Sequence, residues 1–474
     1  MLSQQAPIES SFIKALPDHL NAEIVNGTIS NIKEACDWLS YTYLFVRMNK
    51  NPMAYGMTIE EKFADPHLEV RRVDLIKEAA GILDQCMMIR YSSHSENLSV
   101  TDMGRVASHY YITHGTIESF NSMLTAQLGD SEALHVLCSA SEFDQLKIRP
   151  EELGEIDELK KKTRLGVTGA VEDTAGKVNV LLQSYIDQHR VKSFTLISDT
   201  NYVAQSAGRI SRALFEICLK RGWASMANLF LALSKSIDRR VSGDGSVLRQ
   251  FNELPYDILQ KLEQRDANAD RLMDMEASEI GELVRNQKFG SIIQRLVRRL
   301  PHMHIAYTAQ PITRGILRLN VTLTADFQWD MRYHGQVESF WVWVRDGDSD
   351  HIYHSEPFLL HRQKQSGDHF LEFTIPIREP LDSQYFVHVV SDRWVGCESI
   401  MPVDFKHLVL PDLHPPHTDL LDVHPVPITA LQNPRYESLY TNKNIHFFNP
   451  IQSQTFHVLY HTSKNVLVGA PTGS

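Results

Sequence analysis

The residues with the most definite chemical potential are the last ten, NVLVGAPTGS, in which a short apolar run leads into a glycine loop. A phosphate-binding loop begins in that order. It needs G-x-x-x-x-G-K-[ST], whose backbone N–H groups cradle the phosphates while the lysine reaches the β/γ-phosphates and the hydroxyl holds Mg²⁺. Ala470, Pro471, Thr472, Gly473 and Ser474 fit the first five positions of a form of that loop that tolerates Ala at the first, and the glycine, lysine and Ser/Thr that complete it do not follow. The same residues have the composition of a frayed tail. Taken alone such an ending is more often a tail than a nucleotide site, and the case for an incomplete nucleotide site, with no catalytic residue, rests on what precedes it.

A second candidate lies between Asp199 and Leu219. At about 100° per residue, Asn201, Gln205, Arg209, Arg212 and Glu216 share one side of a helix, and Val203, Ala207, Ile210, Leu214 and Ile217 share the other. Gly208 falls between the polar positions and leaves room for a close backbone approach. Guanidiniums and amides in a line suit phosphate and base-edge contacts along a single strand. A solvated face of an ordinary bundle helix has the same pattern. A third candidate is MEASEIGELVRNQKFGSIIQRLVRRLP, read as a helical hairpin in which Ile280, Leu283 and Val284 pack on Ile292, Ile293 and Leu296 across a turn at Asn286 to Gly290. Lys288, Arg295, Arg298 and Arg299 make it locally basic, which suits phosphate contact without sequence reading, and equally suits the charged face of a packing module.

Other chemistries lack their residues. There is no G-x-S-x-G elbow and no H-E-x-x-H zinc motif. Cys36, Cys86, Cys138, Cys218 and Cys397 are widely spaced with no C-x-x-C pair, which fits buried thiols in a reducing compartment. His414 and His417 have no second ligand pair at zinc-finger spacing, so no metal site is expected. The net charge of −11 argues against a uniformly basic surface, although a local basic track is compatible with it. MLSQQAPIES has no secretory pattern and no apolar run is long enough to span a bilayer, so a soluble intracellular chain with no membrane partner is expected.

The 474 residues exceed what one core organises. Helical periods occupy the first 260 or so: Asn31 with Glu34 resembles a capping box ahead of Ile32, Ala35, Leu39 and Tyr43, and Thr101 opens TDMGRVASHYYI, with Val106, Ala107 and Tyr110 on one side. Glu151 to Lys162 reads as a solvated helix, and Gly166 to Gly176 as a loop. Beyond Leu300-Pro301 the period becomes two. Leu317, Leu319, Val321 and Leu323 alternate with Arg318, Asn320, Thr322 and Thr324, and a similar every-second-residue spacing recurs in Phe340, Val342 and Val344, then Leu371, Phe373 and Ile375, then Tyr385, Val387 and Val389. Turn-rich RDGDSD and KQSGD separate them, the pattern of an antiparallel sandwich of immunoglobulin or fibronectin type. LPDLHPPHTDLLDVHPVP is a proline-dense connector; FNPIQSQTFHVLY after it reads as a turn feeding a helix, and NVLVGAPTGS as a strand feeding a loop.

The order of TDMGRVASHYYI, SDTNYVAQSAGRISRALFEICLKRGW, LRQFNELP, EIGELVRNQKFG, VSDRWVGCES and FFNPIQSQTFHVLY resembles the Sec-63 homology region of a Ski-two-like helicase with two tandem cassettes, over nearly the whole chain. DHIYHSE, HPPHTDLLDVHPVPITAL and FHVLYHT look nearer to a cointegrator-complex branch of that family than to its spliceosomal branch. The resemblance implies a multidomain fold with a helical N-terminal two thirds, then an immunoglobulin-like β-sandwich, then the first elements of an α/β RecA-like domain. Residues 1–100 would hold the end of a RecA-like domain and a winged helix, and 101–254 a helical bundle with a ratchet helix at 199–219. Residues 255–302 would be a helix-loop-helix, 303–410 the sandwich, 411–430 an inter-cassette linker, and 431–474 the truncated start of a second RecA-like cassette.

By the same resemblance, Gln205, Arg209 and Arg212 would touch a translocating strand, Gln452 would match the motif that reads adenine, and Ala470 to Ser474 would match the start of the phosphate loop. The implied role is a non-catalytic, nucleic-acid-guiding scaffold within a 3′-to-5′ helicase. ATP and Mg²⁺ would belong to the complete parent and not to this fragment. The implied partners are single-stranded RNA or DNA, the RecA-like domains of the same parent chain and proteins of a multisubunit complex, in the nucleus and/or cytoplasm. A different class, a pure interaction scaffold like the translocation factor that names the region, would bring membrane spans and a J-domain, and neither is visible in the sequence.

Overall fold

The computed structural model describes residues 8–168, 173–243, 245–377, 384–405, 408–411 and 424–469. Ala470 to Ser474, His414, His417 and most of the expected linker lie outside the described residues. The chain divides into two compact units, Met1–Val409 and Leu410–Ser474.

The first unit opens with the helix Phe12–Asn26, stopped by Gly27 at φ 76°, a left-handed position that glycine adopts without a Cβ penalty. Asn31 then caps Ile32–Ser40, its side chain accepting from the Glu34 N–H at 2.9 Å. The apolar stripe does not continue to Tyr43 as its spacing suggests. Thr42 caps a new helix, Tyr43–Lys50, and Tyr43 is exposed. The helix Glu69–Gln85 leads into a hairpin of β1 (Ile89–Tyr91) and β2 (Leu98–Val100), beside which Asn31 bridges Asn97.

Thr101 caps Asp102–Tyr110, and His114–Met123, Asp130–Cys138, Leu153–Lys160, Thr174–Ile186, Phe194–Arg221 and Ala224–Arg239 complete the helical part. Thr174 to Gly176 are helical, where the glycine spacing suggests loop. Packing runs across residue 100 without a break, since one hydrophobic cluster extends from Leu16 to Ile237. Gly104 is the reason the two parts close: a Cβ there would lie 2.1 Å from the Met88 carbonyl oxygen, and Asn21 Nδ2 donates to the Gly104 carbonyl at 3.0 Å.

A second cluster is built on Ala277–Leu283 and Gln287–Val297, with Ile280, Val284, Ile293, Leu296 and Val297 buried. The chain turns earlier than its glycine suggests. Arg285 takes φ 54° and Asn286 caps the second helix, whereas Gly290 lies inside it, where a Cβ would meet the Ala277 carbonyl oxygen at 1.9 Å. Gly290 is a helix-crossing contact rather than a turn residue.

Among the described residues seven strands follow, in two antiparallel sheets. One has the order β3 (Met303–Thr313), β4 (Ile316–Ala325), β7 (Asp368–Pro376); the other has β6 (Ile352–His361), β5 (Val337–Asp346), β8 (Gln384–Ser391), β9 (Glu398–Asp404). They meet where His354 of β6 stacks on Phe373 of β7 at 4.5 Å. The inner strands β5 and β8 of the four-stranded sheet are covered on both faces. Val342 and Val389 form one cross-strand pair, while Trp343, Val390 and Ile352 on the other face belong to the helical core. Phe215 of the helix Phe194–Arg221 meets Trp341 edge-on at 5.1 Å.

In the second unit, Ile428–Leu431, Pro434–Thr441 and Pro450–His461 surround a small core of Ile428, Leu431 and Phe448. Asn465 to Gly469 carry no regular structure. A strand exists only as a hydrogen-bonded pair, and this unit has no neighbouring strand among its described residues.

Candidate nucleic-acid interface

The helix Phe194–Arg221 is the centre of the first unit, and its period explains why. Val203, Ala207, Ile210 and Leu214 are fully buried, and Ser211 Oγ donates to the Phe230 carbonyl of the following helix at 2.8 Å. Gly222 at φ 77° ends it and allows the antiparallel return of Ala224–Arg239. Its first turns are fixed by a buried charge network. Lys177, wholly buried, donates to Asp199 Oδ2 at 2.7 Å, to Glu152 Oε2 at 2.8 Å and to the Lys147 carbonyl at 3.0 Å. Burial alone would raise the Glu152 pKa, but hydrogen bonds from Lys177, Thr195 and Arg149 outweigh it and hold the carboxyl at about 2.

The polar side of this helix is not one continuous surface. Asn201 and Gln205 are exposed, and their side chains make no hydrogen bond among the described residues. One turn on, Arg209 is half-buried, and its Nη1 donates to the Tyr110 carbonyl at 2.6 Å and to that of Tyr111. Arg212 is ion-paired with Asp392 at the end of β8, and its Nη2 donates to the Asp392 backbone carbonyl. Asp392 also accepts from Trp341 Nε1 at 2.9 Å and from Ser339 Oγ at 3.2 Å. Glu216 accepts from the Tyr110 hydroxyl at 2.6 Å, and burial first, then this carboxylate, pushes the phenol well above its ordinary pKa. Gly208 is used too: a Cβ would lie 2.8 Å from Asp238 Oδ1 of the next helix, so the close approach at that position is from the protein itself.

The two halves thus have different capacities. The first offers free amides, which donate and accept, and the second spends its guanidiniums on the end of the helix Asp102–Tyr110 and on the four-stranded sheet. Lys288 and Arg295 lie elsewhere, on the exposed side of Gln287–Val297, in line with Arg298; Arg299 is held by Asp330 at 2.8 Å and lies over Tyr333. In the second unit, Gln452 completes a capping box: its Oε1 accepts from the Asn449 N–H at 3.1 Å, and its N–H donates to Asn449 Oδ1 at 2.8 Å. Sequence reasoning missed Asp392, Tyr110 and Tyr111. Asp392 pairs across 180 residues and carries no local signal. Among the described residues no cluster of metal-ligating side chains occurs, the five cysteines are free and buried, and no helix is long and apolar enough to cross a membrane.

Residues 100–404 match the Sec63 Brl domain model, more than half of the chain and the whole span from the helix Asp102–Tyr110 to β9. The chain belongs to the Sec63 Brl family. Residues 9–85 match the model of a winged helix-turn-helix domain, which accounts for the helices ahead of the β1–β2 hairpin. Among curated relatives, the chain is 48% identical over its full length to the human activating signal cointegrator 1 complex subunit 3. It is 47% identical to the Arabidopsis thaliana DExH-box ATP-dependent RNA helicase DExH12, and 45% to the human U5 small nuclear ribonucleoprotein 200 kDa helicase. The family read from the motif order is therefore shown, and the cointegrator lean corresponds to a margin of 48% against 45% for the two human proteins. The chain covers 22% of the length of each of these relatives.

Proposed function

We propose that this Sec63 Brl chain is the strand-guiding, non-catalytic region of an ATP-dependent nucleic-acid helicase. The observation that carries the reading is the central helix: one side is locked into the core, and the first half of the other presents Asn201 and Gln205 free to solvent. The three-plus-four strand arrangement supports an immunoglobulin- or fibronectin-like sandwich, whose role here is to hold the central helix through Asp392. The capped helix Pro450–His461 is consistent with the opening of a RecA-like domain, in which Gln452 would exchange its cap for adenine. ATP and Mg²⁺ would act in the RecA-like domains of the parent, and the partners are single-stranded RNA or DNA, those domains and the proteins of a nuclear and/or cytoplasmic complex.

The test is binding of a fluorescein-labelled single strand, followed by anisotropy. The double substitution Asn201→Ala with Gln205→Ala removes only exposed groups and is expected to weaken binding about tenfold without changing the far-ultraviolet circular dichroism. Contact of Lys288, Arg295 and Arg298 with phosphates gives a slope of log K against log[salt] of about −2. Wild-type affinity in the double variant, with a slope near zero, would reject the reading.

A further inference from the structure

The helix Asp102–Tyr110 ends in two adjacent tyrosines with opposite fates. Tyr110 is half-buried with its hydroxyl on Glu216, whereas Tyr111 is 81% exposed and its side chain has no partner among the described residues. Tyr111 also closes its helix at φ 52°. Among the described residues Gly27, Gly56 and Gly222 close helices in this left-handed conformation, as do Arg240, Asn252 and Gln432, and a side chain there carries a steric cost that glycine does not. Arg209 ties this end down: a single guanidinium nitrogen donates to the backbone carbonyls of both Tyr110 and Tyr111. The result is an aromatic ring held out to solvent on a fixed backbone, tied to the central helix one turn from Gln205.

Building on the strand-guiding reading, we propose that Tyr111 is a stacking platform for an unpaired nucleobase and that Arg209 is its positioning residue. Beside Tyr111 opens a cavity of about 880 Å³, also lined by Arg105, His109, Glu216 and Lys220. Its mixed charge decides which part of a nucleotide belongs there. The Glu216 carboxylate repels a phosphate, while a neutral base finds hydrogen-bonding edges and a ring to stack on. Strand-binding proteins combine such aromatic platforms with cations that track the backbone, and stacking tolerates every base because each has a π-face. Arg209, with its donors turned to the two carbonyls, acts through Tyr111 instead of contacting the strand.

The experiment compares an oligoribonucleotide with the same sugar-phosphate chain carrying abasic positions, using this 474-residue protein and anisotropy. Tyr111→Ala is expected to lose about tenfold on the base-bearing strand and nothing on the abasic one, while Tyr111→Phe keeps wild-type affinity for both. Arg209→Ala is expected to reproduce the base-dependent loss, and to add none in the Tyr111→Ala background. Tyr41→Ala, which removes another highly exposed ring, is expected to leave binding unchanged. If Tyr111→Ala binds the base-bearing strand as wild type does, the stacking proposal falls while the strand-guiding reading stands. If the wild-type protein binds neither strand, both fall.

Discussion

Glu338 of β5 sits at the seam between the helical part and the four-stranded sheet with no exposed surface, and its ionisation should contribute to the pH dependence of folding. Oε1 accepts from Trp394 Nε1 at 3.2 Å and lies 3.9 Å from Arg393 Nη1, while Oε2 has no partner. Burial pushes its pKa up to about 7, against the weaker pull of Arg393 and Trp394, from an ordinary value of 4.5. A raised carboxyl pKa means that the folded state holds its proton longer than the unfolded chain does. Its contribution is therefore complete below about pH 4.5 and is lost as the pH rises through about 7. At 1.36 kcal/mol per pH unit the span between the two values corresponds to about 3 kcal/mol. Glu338→Gln keeps an acceptor for Trp394 and abolishes the titration. In urea unfolding followed by tryptophan fluorescence, the variant should match wild type within about 1 kcal/mol at pH 5 and exceed it by up to about 3 kcal/mol at pH 7.5. The pH window matters because Lys235, buried in the same seam with its ammonium on the Ser391 carbonyl, has its pKa lowered to about 8 by burial. That group adds stability only as the pH rises above about 8. A variant difference that is the same at pH 5 and pH 7.5 would refute the assignment of the titration to Glu338.

Two further predictions concern packing. Lys177→Met leaves Glu152 and Asp199 with only the half-exposed Arg149 as a cation, and should cost about 3 kcal/mol in urea unfolding; a change below about 1 kcal/mol would show that the network is not holding the start of the central helix. Gly290→Ala forces a methyl group against the Ala277 carbonyl and should destabilise the hairpin by about 1–3 kcal/mol, read as faster amide exchange at Ile293 and Leu296; unchanged exchange there would mean that the two helices do not cross as closely as described.

What could be read in the sequence was what repeats locally. The central helix revealed its buried face because Val203, Ala207, Ile210 and Leu214 recur at helical spacing, and the inner strand β4 revealed itself through Leu317, Leu319, Val321 and Leu323. Strands β3, β6 and β9 are less legible, and unlike the edge strand β7, where Pro376 only ends the run, they are interrupted internally. Each lies at a sheet edge and carries a proline, Pro311, Pro357 or Pro402, which an edge tolerates because one side of its ladder is unpaired. In β5 the residues between Phe340, Val342 and Val344 are Trp341 and Trp343, and the helical part covers them, so this strand is apolar on both faces. The site was only half legible. Periodicity placed Asn201, Gln205, Arg209 and Arg212 on one side, yet which of them are free depends on Asp392 and on the Tyr110 and Tyr111 carbonyls, contacts made across about 100 and 180 residues. Composition and period carry no information about such pairs.

The central claim is that a single strand runs along the exposed half of the helix Phe194–Arg221. Photocrosslinking a 4-thiouridine-substituted single strand to the protein, with the attached peptides identified by mass spectrometry, tests it directly. Crosslinks are expected in the peptides that carry Asn201, Gln205 and Tyr111, with further ones near Lys288 and Arg295. Crosslinks confined to the outer face of the sheet formed by β3, β4 and β7, with none on the central helix, would contradict the account.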